Sequence, residues 1–245
     1  RLLMSYFQSF PTTLYEYGEN NGITFAENLS AYAEVFDKVK DNVAFYQDYY
    51  VMIGERPDHV AYTLYDDPQL HWTFFLMNPK IRERGWPETV ENVVKRLKLN
   101  HPDTTLTTQD ELFDKFKVGQ TVQGQSSLAT GIIVRKDLDL GQLVIKTSGT
   151  FSVGGEQINS TVEGVILPEI IQTVSAGPEY LSAKHYTENS ERVSINPYVG
   201  PGPLLSEVSY YDHYISENED LKQIRVIKPS AIRSVSRAFL DAMES

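Results

Sequence analysis

The sequence predicts an α+β fold carrying an inserted small antiparallel β module, and three stretches support that expectation. Tyr50 to Asn78 (YYVMIGERPDHVAYTLYDDPQLHWTFFLMN) reads as the end of a strand, a tight turn, a short helix, a turn and a second short helix. From Phe116 to Ile158, glycines at short intervals separate runs of β-branched residues, as in a set of antiparallel strands. Gln223 to Pro229 alternates in polarity and stops at a proline, ahead of an apolar helical stripe.

Taken in order, the chain begins with an arm, residues 1–22, in which Tyr6-Phe7 and Phe10-Pro11 precede a polar stretch with no local core of its own. Such aromatics dock either on a partner chain or on their own domain. Residues 23–108 form the α+β domain. Phe25, Leu29, Tyr32, Phe36, Val39 and Val43 recur at helical steps but are rich in strand formers, which points to mixed structure over 23–46. Phe45 to Ile53 suits a strand, and Gly54 allows a sharp turn. Pro57 opens a helix, because the first helical position needs no N–H. Val60, Ala61, Leu64 and Tyr65 form its apolar stripe, and Asp66-Asp67-Pro68 ends it. Leu70, Phe74 and Met77 continue the pattern on the second helix, which Asn78-Pro79 closes. Ile81 to Trp86 reads as a turn-rich link, Thr89 to Leu99 as a helix, and the Thr-rich Asp103 to Gln109 as a domain boundary.

The β module occupies 109–178, with strands expected at Thr121 to Gly124, Gly131 to Lys136, Gln142 to Thr147, and from Glu156 to Asn159 onward to Val165. Leu140-Gly141 and Gly154-Gly155 supply turns. Residues 179–245 comprise an extended connector, Glu179 to Pro203, then the strand Gln223 to Lys228 and a last helix bearing Ile232, Val235, Phe239 and Leu240. That strand can complete a sheet with the Tyr50 region, which would make the β module an excursion out of the first domain.

Composition sets the bounds on chemistry. With no cysteine in 245 residues, disulfides, thiolate metal sites and cysteine nucleophiles are excluded. The net charge of -11 argues against a phosphate-gripping surface. No stretch approaches the ~20 consecutive apolar residues of a membrane span, and Arg1 to Met4 is too short for the core of a signal peptide. The histidines are scattered: His59, His71, His101, His185 and His213 show no two-ligand spacing on one helix face, so no metal is expected. No nucleophile elbow, phosphate-cradling loop or dinucleotide fingerprint is present. No catalytic residue and no cofactor are therefore expected, and Trp72 reads as core.

Tyr50, Val51, Gly54, Glu55, Val60, Ala61, Tyr65, Asp67, Pro68, Trp72 and Asn78 stand at the places of the LysM pattern YxVxxGDxxxxIAxxxYxDPxxWxxIxxxN. Glu55 replaces the usual Asp and Arg56 the usual Thr, which alters the loop that contacts glycans in true LysM domains. The wording RPDHVAYTLYDDPQLHWTFFLMN, the Gly85-Trp86-Pro87 step, the opening Tyr6-Phe7 and Phe10-Pro11, and the closing EN pair, RVIKP strand and helix together resemble the LysM-like inner baseplate wedge protein family of T4-like contractile-tailed bacteriophages. The Val118 to Gly124, Ala129 to Gly131 and Phe151 to Ile158 elements resemble a β module of phage tail and baseplate proteins, here an insertion.

The resemblance implies a LysM-like βααβ-type domain and a structural subunit of a contractile-tail baseplate, assembled into the virion in the host cytoplasm, with no enzymatic activity. It implies contacts with the inner wedge core subunits, with the lysozyme-related sheath-initiating wedge subunit, and with neighbouring wedge copies in a six-fold ring. The candidate interface residues are Tyr6, Phe7, Phe10 and Pro11 of the arm, with Tyr15, Tyr17, Tyr49 and Tyr210 from the fifteen tyrosines, since tyrosine concentrates binding energy at interfaces. The alternative is a peptidoglycan- or chitin-binding protein of a tail tip or cell wall.

Overall fold

A computed structural model describes residues 12–17, 22–27, 39, 42–160 and 168–244. The chain forms two units: residues 1–89 with 218–245, and residues 90–217.

In the first unit, β1 (Thr12–Tyr17) and β2 (Gly22–Glu27) form an antiparallel hairpin. Residues 23–46 were expected to be mixed, and their described beginning is this second strand. β3 (Tyr46–Tyr50) leads through the Gly54 turn into α1 (Pro57–Tyr65). Pro57 stands in the first turn, and the helix ends where Asp66 turns left-handed. The Asp67 carboxylate accepts from the Gln69 N–H and caps a 3-10 turn over Pro68–His71, from which α2 (Trp72–Met77) continues. The link expected at Ile81 to Trp86 is in large part helical, because Pro79 starts α3 (Pro79–Arg84) and Gly85 stops it.

The unit is closed from the far end of the chain. β13 (Gln223–Ile227) pairs antiparallel with β3, Gln223 opposite Tyr50 and Ile227 opposite Tyr46, and α6 (Ile232–Glu244) follows. The strand expected to complete a sheet with the Tyr50 region does so. Two clusters are buried here. Val51, Val60, Ala61, Phe74, Ile81, Ile224 and Val226 make one. Leu70, Trp72, Leu76, Met77, Ile227, Val235 and Phe239 make the other, with the Trp72 and Phe239 rings 5.1 Å apart. Full burial of each such side chain stabilises by roughly 1.5–3 kcal/mol.

The second unit begins with α4 (Val90–Asn100), as the Val90, Val93, Val94, Leu97 stripe predicts. The expected boundary at Asp103 to Gln109 is instead a strand, β4 (Thr104–Thr108). With β5 (Thr121–Gly124), β6 (Thr130–Asp137), β7 (Gln142–Thr147), β8 (Gln157–Ser160) and β9 (Glu169–Pro178) it builds a closed antiparallel barrel in the order β4-β7-β6-β5-β8-β9. The continuation of β8 to Val165 lies outside the described residues, and β9 has no counterpart in the sequence reading. Leu106, Phe116, Ile133, Leu143, Ile145, Ile158 and Ile171 fill the interior. Gly155 has φ +86, and a Cβ there would collide with the Thr173 carbonyl, so this turn admits only glycine.

The expected connector over Glu179 to Pro203 is partly a sheet: β10 (Ala183–Glu188) lies between β11 (Glu191–Val193) and β12 (Ser206–Ser209). Their polar residues hid them, since only Ala183, Tyr186 and Ser209 are buried. α5 (Tyr210–Lys222) then runs back toward β13.

One buried carboxylate joins two loops of the barrel. Glu156, 4% exposed, accepts from the N–H groups of Ser126, Ser127 and Ser152, each at 2.8 Å. Burial alone would raise its pKa, but these hydrogen bonds outweigh burial and hold it at about 2, below the ordinary 4.5. Stability from this site is therefore complete above about pH 4.5 and is lost as pH falls toward 2. Wild type should lose about 3 kcal/mol across that window, and Glu156→Gln should lose far less, as read by denaturant titration at several pH values. A separate expectation concerns the first unit: Trp72→Ala should cost about 3–5 kcal/mol in the same titration, whereas a loss below about 1 kcal/mol would remove Trp72 from the core.

Candidate protein interface

Among the described residues near the start of the chain, the hairpin carries three exposed apolar side chains. Its register sets Leu14 opposite Phe25 and Glu16 opposite Ile23, so Leu14, Ile23 and Phe25 share one face. They are 62%, 66% and 77% exposed. A two-stranded hairpin gains little stability by itself in water, and a clustered apolar face on one marks a contact surface. Phe25 falls in the stretch whose sequence points to mixed structure, and the alternation in TTLYEY and GITFAE is the signal for strands there.

Tyr6, Phe7, Phe10 and Pro11 lie outside the described residues. Tyr15 and Tyr17 are on β1, opposite Thr24 and Gly22 in register. Tyr49 is half-buried on β3, and its hydroxyl donates to the Glu55 carboxylate at 3.1 and 3.3 Å. Burial, then the Glu55 charge and this hydrogen bond, raise the Tyr49 pKa. Tyr210 opens α5 in the second unit, its ring 4.3 Å from that of His101 and its hydroxyl accepting from Arg135 at 3.3 Å. Tyr49 belongs to the first unit and Tyr210 to the second, and each has its polar tip engaged within its own unit.

The Tyr210 neighbourhood is fastened by one buried carboxylate. Glu179, 4% exposed, receives Arg135 Nη2 at 2.8 Å and His101 Nδ1 at 3.1 Å on the same carboxylate oxygen. It ties α4, β6, the end of β9 and α5 together.

In the first unit, the loop after Gly54 is braced from two sides. Glu55 accepts the Met52 N–H at 2.9 Å, and the Trp86 indole N–H donates to the Glu55 carbonyl at 2.7 Å. The Trp86 ring lies 5.8 Å from Phe74 and 6.0 Å from Phe75. Trp86 and Tyr49 thus hold in place the loop that glycan binding would need, and Arg56 points its guanidinium at Asp58, 3.2 Å away.

A cleft of about 750 Å³ lies elsewhere on this unit, lined by Asp48, Tyr50, Asn78, Lys80, Glu219 and Arg225 among others, with no residue from Met52 to Pro57. Among the described residues no group of acidic or histidine side chains could hold a metal ion, and no helix is long and apolar enough to cross a membrane. His71 is half-buried, its Nδ1 2.9 Å from the Pro68 carbonyl, in keeping with a packing role.

Trp86→Phe removes the indole N–H and part of the ring packed against Phe74 and Phe75, so it should destabilise the first unit by about 1–3 kcal/mol and loosen the Met52 to Pro57 loop. Hydrogen exchange at the Met52 and Glu55 amides checks it: unchanged protection would show that the bond does not brace the loop.

No curated protein matches this chain. Residues 8–97, which take in the hairpin, β3 and α1 to α3, match the family model described as phage base plate wedge protein 53. That family is one of structural wedge proteins and not of enzymes, and the match gives the chain a structural role in the phage tail baseplate, in contact with other baseplate proteins.

Proposed function

We propose that the chain is an inner wedge component that clamps and joins neighbouring wedges by protein-protein contacts. The observation that carries this is the hairpin face of Leu14, Ile23 and Phe25, an exposed apolar surface inside the matched segment. Its partners on this reading are the inner wedge core subunits, the lysozyme-related sheath-initiating subunit and the neighbouring wedge copies. The arm of residues 1–22 reaches a partner with Tyr6, Phe7, Phe10 and Pro11, while Tyr15, Tyr17, Tyr49 and Tyr210 contribute at further contacts. The β module is an addition to a LysM-like frame, and what supports that frame is the succession of β3, turn, α1, α2 and the returning β13.

The glycan-binding alternative requires a groove shared by the Met52 to Pro57 loop and the residues after Met77. The cleft beside Met77 to Ile81 takes no lining from that loop, which favours the protein-contact reading.

The test is co-purification with the inner wedge subunits of the same phage, next to retention on insoluble peptidoglycan. Wild type should co-elute with the wedge core and pass through peptidoglycan. Leu14→Asp with Phe25→Asp should abolish co-elution while leaving the thermal unfolding midpoint nearly unchanged, because both side chains already face water. Retention on peptidoglycan without a wedge complex would overturn the proposal.

A further inference from the structure

The two-stranded sheet of the first unit has two outer edges, and the chain treats them differently. Val51 N–H bonds to the Lys222 carbonyl and Lys228 N–H to the Phe45 carbonyl, so β3 turns Phe45, Gln47, Tyr49 and Val51 toward β13. The backbone groups of Gln223, Arg225 and Ile227 therefore face the outer edge of β13. Side chains close that edge. The Asn78 amide donates to the Arg225 carbonyl at 2.7 Å and accepts the Arg225 N–H at 2.8 Å, reproducing the pair of bonds a neighbouring strand would make. The Tyr65 hydroxyl donates to the Ile227 carbonyl at 2.9 Å.

Among the described residues, the edge of β3 has no such closure. Among the described residues, the backbone groups of Tyr46, Asp48 and Tyr50 on that side have no partner strand. Exposed apolar side chains flank the edge at both ends: Val43 and Phe45 before it, Met52 and Ile53 after it. At its centre the Asp48 side chain is exposed and has no ion-pair partner among the described residues; it lines the cleft with Glu219, Asp220, Lys80 and Arg225, the last opposite it in register on β13. A row of unpaired backbone groups flanked by apolar side chains is what strand addition uses.

The geometry points to β3 as a one-sided docking edge for an extended segment of a different polypeptide, carrying Lys or Arg opposite Asp48 and apolar residues toward its ends. Charge selects this occupant over a second copy: two β3 strands paired about their midpoints would set Asp48 against Asp48, and like charges directly opposite are destabilising. The inference stands apart from the proposed wedge assembly, and its test needs no baseplate protein.

The probe is a short fluorescein-labelled peptide of alternating valine and lysine, titrated by anisotropy against the full chain. A control peptide is N-methylated at alternate backbone amides. Wild type should bind the first saturably, and N-methylation should abolish binding. Asp48→Pro removes an outward N–H without touching the β13 ladder and should weaken binding by at least roughly five-fold. Asp48→Lys should weaken it roughly two- to five-fold and reverse the preference toward a valine-glutamate peptide. Unchanged melting temperatures for both variants exclude unfolding as the cause. No saturable binding, binding indifferent to N-methylation, or equal affinity in all three proteins would each overturn the inference, as would self-association of wild type that Asp48→Pro abolishes.

Discussion

The first unit depends on the antiparallel pairing of β3 with β13. Without β13, Val51 and Phe74 lose Ile224 and Val226 from one cluster, and Trp72 and Met77 lose Ile227 from the other, together with the helix that brings Phe239. The two strands are separated in the chain by the entire second unit. Loop-closure entropy rises only with the logarithm of length, so a long intervening segment costs little more stability than a short one. The kinetic consequence is larger: neighbouring strands of the barrel meet early, whereas the first unit waits for the last part of the chain.

That pairing also creates two sheet edges that differ in how their backbone is satisfied. A two-stranded sheet has two edges and little capacity to bury both of its faces. On the β13 side, Asn78 and Tyr65 satisfy the backbone with side-chain groups, which stabilises the edge and blocks growth of the sheet there. On the β3 side no described residue closes the edge, which runs beside the exposed Asp48 carboxylate. Apolar exposure on the β1-β2 hairpin follows the same logic, since a ribbon that cannot bury its face alone gains stability from a partner. Structural subunits are built to leave such demands unmet until assembly.

The barrel solves the edge problem the other way. Closure through β4 and β9 removes free edges, so its contacts with anything else must be made by side chains on loops and outer faces. Inside, the loops at Ser126-Ser127 and Ser152 are held by the Glu156 carboxylate, and Glu179 ties His101 and Arg135 together outside the barrel interior. Both are buried acids whose charge is met by geometry that a one-residue shift would destroy, which favours a single arrangement of these loops.

The sequence by itself determined the elements whose cause is local. Pro57, the Val60 to Tyr65 stripe and the Asp66-Asp67-Pro68 stop define α1; glycine punctuation with β-branched runs defines β5 to β8; alternation ended by Pro229 defines β13. Only the tertiary structure decided the rest. Thr104 to Thr108 reads as a polar linker because threonine is ambiguous alone, and it becomes a strand because β7 and β9 supply a partner on each side. Glu179 to Pro203 reads as connector because of its glycines and prolines, yet β10 within it is paired on both edges. Residue type nominates the interface tyrosines, but whether a tyrosine is free depends on groups the fold brings to it, Glu55 from the neighbouring loop for Tyr49 and Arg135 from far along the chain for Tyr210. Periodicity and turn chemistry are short-range properties that a sequence carries openly. Edge, partner and exposure are set by residues far apart in the chain, and these decide where a structural protein can be held.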